Sequence, residues 1–397
     1  MGQFGRRAAL GGAAALAGWG SVRAQAAPVR IGVLTDESGP YASSGGAGSV
    51  AAARMAVQDF GGTLLGAPIE VLRADTQNKP DVAGSVARGW YDSGVDAITD
   101  LPVTPVAAAV QQVAKEKNRT VMITAAAVTE FTSKLCAPVS THWADDTHAL
   151  AEGTGRVVTG AGGKTWYFIA VDFSFGAALQ AEAARVVQAA GGRVLGGTKF
   201  PLGNTDYSSQ IVQARSSGAD VIGLCAVGGD QVNLIKQAGE FGLAVGGKQT
   251  LAGFLVYLTD IHALGLDVAQ GFRFPSSFYW DTDEGTRAFG RRFMEDRRAM
   301  PTSNQAGVYA ATLHFLRAAA QAGTRDAVAV GRAMRALPVR YFGKEIAMRE
   351  DGRLMQDLVL YRVKSRAESR SEWDLLTPLG TVPAADAFLG ANPACTA

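Results

Sequence analysis

Four places in the sequence set small hydroxyl or glycine residues between a β-rich run and a helical one. Ser43-Ser44-Gly45 opens the first helical stretch, and Thr104 precedes Pro105. Ser174 follows Asp172-Phe173, and Gly228-Gly229-Asp230 opens another helix. Helix N-termini carry unpaired N–H groups and a partial positive end, so such junctions hold a carboxylate without a cationic side chain. Each one alone is also an ordinary helix cap. Aromatic residues cluster at the same junctions: Tyr41, Phe173, Phe175, Phe254, Tyr257 and the run Phe278-Tyr279-Trp280. Phe175 and Phe278 read as core packing, whereas Tyr41 and Phe173 flank glycine-containing turns from which a side chain reaches a crevice.

Catalytic patterns do not assemble. The sequence has no Gly-x-Ser-x-Gly, no His-Glu-x-x-His, no phosphate loop and no cysteine pair at metal spacing. His142, His148, His262 and His314 are scattered, so no metal is expected. Gly45-Gly-Ala-Gly48 opens a helix, but no acidic residue ends the second strand as a dinucleotide site needs, and no cofactor is expected. The chain therefore reads as a binder, not an enzyme.

Composition fits a globular, exported protein. Of 397 residues, 47% are hydrophobic and 19% charged, and the length favours two domains. Arg6-Arg7, the apolar run Ala8 to Trp19 and Ala24-Gln25-Ala26 follow the charged, apolar, small-residue order of an export signal, Sec or twin-arginine. Cleavage after Ala26 removes three arginines and leaves 35 basic against 36 acidic residues. No basic block suits nucleic acid. Export makes a disulfide plausible. Three cysteines allow three pairings; Cys136 in a loop-like stretch and Cys395 in the polar tail make the preferred pair, with Cys225 buried in a strand.

The elements that position the junctions alternate. From Val29 the sequence runs strand, helix (Ser44 to Phe60), strand (Ile69 to Ala74), helix from Pro80, strand (Val95 to Thr99), helix (Pro105 to Lys117) and strand (Val121 to Thr124). The order returns after Gly160, and Gly94-Val-Asp-Ala-Ile-Thr-Asp-Leu-Pro-Val is echoed by Gly218-Ala-Asp-Val-Ile-Gly-Leu-Cys-Ala-Val. Two similar α/β domains with doubly wound parallel sheets follow. Ligands of such sheets sit beyond the carboxyl ends of the strands.

Asp36-Glu-Ser-Gly-Pro-Tyr-Ala-Ser-Ser-Gly45, the Asp75-Thr76 turn, Leu101-Pro-Val-Thr-Pro105, Met122-Ile-Thr-Ala-Ala-Ala127 and Asp172-Phe-Ser-Phe-Gly176 resemble the leucine/isoleucine/valine-binding family, the type I periplasmic binding proteins of ABC importers. The resemblance spans the whole mature chain. It implies a Venus-flytrap: two Rossmann-like lobes, a three-stranded hinge and a solute in the cleft. It divides the chain into a signal (1–26), a first lobe (27–147 with 273–340) and a second lobe (148–272 with 341–397).

The resemblance also implies site residues. Val103, Thr104, Ala126 and Ala127 stand where relatives hold an α-carboxylate, and Ser44 stands where they carry Trp. The acid that holds the α-ammonium falls at Phe254 or Leu255, in Leu251-Ala-Gly-Phe-Leu-Val-Tyr257. An unpaired buried ammonium is unfavourable. The implied ligand is thus a carboxylic acid without an α-amino group, an aromatic acid first and a short keto or aliphatic acid second. Thr141-His142-Trp143 and Tyr279-Trp280-Asp281 resemble aromatic-acid importers. The expected partners are that acid and the membrane permease subunits, for a monomer in the periplasm. A branched-chain amino-acid binder and a sensing receptor of the same fold are the other readings.

Overall fold

The computed structural model describes Met1, residues 27–243 and residues 248–395; the expected export signal lies outside them. In the first lobe, strand Val29–Thr35 pairs in parallel with Ala67–Asp75 on one side and Ala97–Asp100 on the other. Thr120–Ile123 and Ser140–His142 continue the sheet in parallel, and the short strand Thr63–Leu64 closes the far edge. Strand order therefore reverses between Val29–Thr35 and Ala97–Asp100. Val29, Ile31, Val33 and Leu34 are buried, as a strand covered by helices on both faces requires. Gly32 interrupts that run for a packing reason: a Cβ there would lie 2.3 Å from the ring of Trp90 on helix Pro80–Asp92.

The second lobe repeats the plan. Thr165–Val171 is flanked by Arg193–Phe200 and Val221–Cys225, and Thr250–Gly253 follows, all in parallel. The echoed segments thus supply the corresponding strands of the two sheets, Ala97–Asp100 and Val221–Cys225. Two helices begin differently from their sequence-based expectation. The first starts at Gly46 because Thr35 Oγ1 accepts the Gly46 N–H at 2.8 Å and holds Ser44-Gly45 in the preceding turn. The third starts at Thr104, so Val103 is its cap and Thr104 its first residue.

Three chain crossings join the lobes at 143–147, 276–279 and 354–358, and one buried carboxylate touches all three. Asp145 Oδ2 accepts the N–H of Ser277 at 3.1 Å, and its Oδ1 accepts from Gln356 Nε2 at 3.0 Å. Beside the crossings, Arg273–Ser276, Leu358–Val363 and Leu376–Val382 form an antiparallel three-stranded sheet. The last crossing comes later than the lobe boundary at 340 anticipated. Tyr341, Phe342, Met348 and Leu354 bury themselves with Val29, Ile31 and Phe315 in the first lobe. The hairpin Val339–Tyr341 with Lys344–Ile346 is made there too, and Arg353 bridges to His142. Apolar burial keeps 341–354 with the first lobe.

The tail returns to the first lobe as well, since Cys395 is bonded to Cys136 and Phe388 covers the guanidinium of buried Arg353 at 4.2 Å. Cys225 is free and buried. The bridge spans 259 residues, so it restricts the unfolded chain strongly. Replacing both bridged cysteines by serine is expected to lower stability by about 2–4 kcal/mol in denaturant titrations. An unchanged midpoint would show that the tail contributes nothing to the fold.

Candidate functional site

The lobes meet around a cleft at both reversal points. Backbone contact seals the seam: Gly229 N–H donates to Pro40 O at 3.0 Å. Inside lies a narrow cavity that leaves about 20 Å³ to the centre of a water-sized sphere. The first lobe lines it with Tyr41, Ser44, Pro102, Thr104, Ala125 and Ala127, and the long helix Ser303–Ala322 adds Asn304. Across the gap stand Phe173, Phe175, Val227, Leu255 and Tyr257.

Backbone geometry brings the first-lobe donors inward. Asp100 and Leu101 adopt φ of 81° and 68°, left-handed values that non-glycine residues seldom take. They turn the chain sharply off the strand and aim Pro102 to Thr104 at the cleft. Ala125 and Ala126 N–H groups lock the turn by donating to Asp100 O (3.2 Å) and Leu101 O (3.0 Å). The N–H groups of Thr104 and Ala127 and the Thr104 hydroxyl then have no protein partner among the described residues.

Asn304 is the residue that sequence reasoning missed. Its Oδ1 accepts from Thr124 Oγ1 and its Nδ2 donates to Asp100 Oδ1, both at 2.9 Å. The amide is thereby oriented, and its second N–H is free of these partners. Burial pushes the Asp100 carboxyl up, against the hydrogen bonds from Thr35 and Asn304. Pro301-Thr-Ser-Asn does read as a helix start, and Thr302 caps the helix. Nothing in the sequence joins position 304 to position 100.

No Asp, Glu, Lys, Arg or His is among the described residues that line the cleft. Of the expected site residues, Tyr41, Ser44, Thr104, Ala127, Phe173 and Tyr257 come together there. Val103, Ala126, Gly228 and Phe254 do not line it. Val103 is buried in the core behind the loop. The Ala126 carbonyl accepts from His142 Nε2 at 2.7 Å. Burial first, and then Arg353, hold that imidazole well below its usual range; Arg353 donates to Nδ1, so Nε2 carries the proton. Gly228 sits in the seam rather than in the cavity. Phe254 is fully buried, with its ring 6.3 Å from Trp166 and 6.5 Å from Phe168, while Leu255, the neighbouring possibility, faces the gap. Phe175, expected in the core, lines the cleft too, because it lies one helical residue past Ser174 on the side facing the first lobe. The Tyr279 hydroxyl and Trp280 indole bond to Trp373 O beside the hinge sheet, away from the cleft.

Asp260, the nearest acid in sequence, is turned into its own backbone. It accepts the Tyr257 N–H at 3.0 Å, and Gly228 donates to it as well. Burial raises its pKa from 3.8 to about 7. A carboxyl that holds its proton more tightly folded than unfolded makes stability fall as pH rises between those values. Melting temperature is therefore expected to decline from pH 4 to pH 7, and Asp260→Asn to flatten that slope. An unchanged slope in the variant would assign the effect elsewhere.

The family described as Periplasmic binding protein matches residues 28–368. The chain belongs to that family. A periplasmic binding protein from Burkholderia mallei is 40% identical, covering 93% of this chain and 98% of its own with a TM-score of 0.89. A branched chain amino acid ABC transporter periplasmic ligand-binding protein from Burkholderia xenovorans is 36% identical over 91% of this chain and 96% of its own, at a TM-score of 0.79. A solute-binding protein from R. palustris, solved in complex with benzoate, shares the fold at 18% identity, with coverage of 90% and 97% and a TM-score of 0.81. This periplasmic binding protein has the type I fold of its relatives, and its cleft occupies the place where the two sheets reverse their order.

Proposed function

We propose that this periplasmic binding protein is the solute-binding component of an ABC importer, and that it closes on a small carboxylic acid without an α-amino group. An aromatic acid is the favoured solute. One observation carries the reading: among the described residues, the cleft sets partner-free N–H and hydroxyl donors of Thr104 and Ala127 opposite Leu255, Val227, Phe173 and Phe175, with no charged side chain on either wall. Neutral donors at a helix start suit a carboxylate. An α-ammonium would be left without a partner, whereas a flat or aliphatic body fits the apolar wall. Benzoate in the R. palustris relative is of this chemical class.

The seam between Gly229 and Pro40 fits a hinge mechanism in which the solute touches both walls only in the closed form. Residues 1–26 would direct export, and the closed protein would deliver its solute to permease subunits as a monomer. Calorimetry of the mature protein with benzoate, 4-methyl-2-oxopentanoate and leucine tests the reading. Either acid is expected to bind more tightly than leucine. Leucine binding tightest would favour the amino-acid function named for the Burkholderia xenovorans relative.

A further inference from the structure

Two tyrosine hydroxyls in the cleft lack partners. Tyr41 and Tyr257 are 4% and 6% exposed, and among the described residues nothing hydrogen-bonds to either phenol oxygen. A hydroxyl that borders a cavity without a protein partner is open to water or to a ligand. Other buried tyrosines of this molecule have protein partners. Tyr91 donates to Thr120 O at 3.0 Å, Tyr207 to Asn204 O at 2.9 Å and Tyr279 to Trp373 O at 3.2 Å. Tyr341, at the groove beside the hinge sheet, is the other exception. Tyr41 and Tyr257 both line the interlobe cavity, Tyr41 from the loop after the first strand and Tyr257 from the opposite lobe.

We propose that the solute carries, besides its carboxylate, a neutral oxygen (a ring hydroxyl or a carbonyl) held between the Tyr41 and Tyr257 hydroxyls. The proposal rests on the carboxylate reading of the cleft and narrows it. Burial pushes both phenols up, Tyr41 with Asp230 as the next cause and Tyr257 with Asp260, so both stay protonated and able to donate. A carbonyl accepts from both; a hydroxyl accepts from one and donates to the other. A second carboxylate is disfavoured, because the helix-start donors are taken by the first and no cation lines the cleft among the described residues. The two hydroxyls come from different lobes, so the second oxygen is gripped on both sides only when the lobes close. Selectivity and closure are then one event.

Matched acids test this by calorimetry on the mature protein: benzoate against 4-hydroxybenzoate, and pentanoate against 4-oxopentanoate, with leucine alongside. In at least one pair the oxygen-bearing member is expected to bind at least about tenfold more tightly. Tyr41→Phe and Tyr257→Phe are each expected to shrink that preference severalfold, weakening the oxygen-bearing member more than the oxygen-free one. Equal binding within each pair overturns the proposal but leaves the carboxylate reading standing. Equal weakening of both members by the variants also overturns it, since the tyrosines would then hold the carboxylate itself. Leucine binding while all four acids fail removes the carboxylate reading, and failure of every ligand on protein shown folded by circular dichroism overturns both.

Discussion

If the solute is the proposed carboxylic acid, Leu255→Glu is expected to abolish acid binding and to give the protein affinity for leucine. Leu255 is buried on the second-lobe wall of a cleft without charged lining, and its carbonyl accepts from Gln231 Nε2 at 3.2 Å, which fixes the backbone there. A glutamate at this point faces the donors of Thr104 and Ala127 across the gap. It would confront a bound carboxylate with a second anion in a water-poor space and offer no cation to either. Leaving a buried charge uncompensated costs about 3–5 kcal/mol, so the acid's affinity is expected to drop at least about 100-fold. The same carboxylate supplies what an α-ammonium lacks in the native cleft, so leucine is expected to gain. Calorimetry with benzoate and leucine reads both changes, and the melting temperature of the unliganded variant separates lost binding from unfolding. Undiminished acid binding would remove position 255 from the solute's surroundings.

Gly228→Ala acts without touching the solute. Gly228 has φ 64°, and a Cβ added to it would lie 2.6 Å from Pro40 O and 3.2 Å from Tyr41 Cδ1. The left-handed conformation by itself costs a non-glycine residue about 1–2 kcal/mol, in the open and the closed form alike. In the proposed hinge mechanism the collision with Pro40 belongs only to the closed form, because Pro40 is carried by the other lobe. Closure is therefore penalised selectively, and apparent affinity falls with the population of the closed state. A loss of at least about tenfold, or 1.4 kcal/mol, is expected for every solute. Small-angle scattering with saturating solute should show less compaction than in the native protein. Full compaction and native affinity would mean that the seam yields easily and that Gly228 serves only its turn.

Much of this molecule was legible in its sequence because the relevant signals are local. Alternating β-rich and helical runs predicted two doubly wound sheets, and the internal echo fell on corresponding strands of the two lobes. Junction residues such as Ser44, Thr104 and Phe173 were found because the rule that ligands sit beyond strand ends needs only strand order. Where reading went astray, the missing information was three-dimensional. Phe254 and Leu255 are adjacent on one loop, and only packing against Trp166 and Phe168 shows which of them faces inward. Segment 341–354 looked free to join the second lobe until Phe342, Met348 and Leu354 were seen inside the first.

The sequence by itself determined the repeated α/β plan and the set of small junction residues, since periodicity and local residue type set these one segment at a time; the apolar second-lobe wall was implied by the family resemblance. Tertiary structure alone decided what depends on distant residues meeting. Asn304 reaches Asp100 and Thr124 across some two hundred positions, Asp145 gathers three crossings, and the Tyr41 and Tyr257 hydroxyls meet no partner among the described residues at a seam between lobes. Hydrogen bonding acts over a few ångströms of space whatever the separation along the chain, and no local pattern in a sequence records that distance.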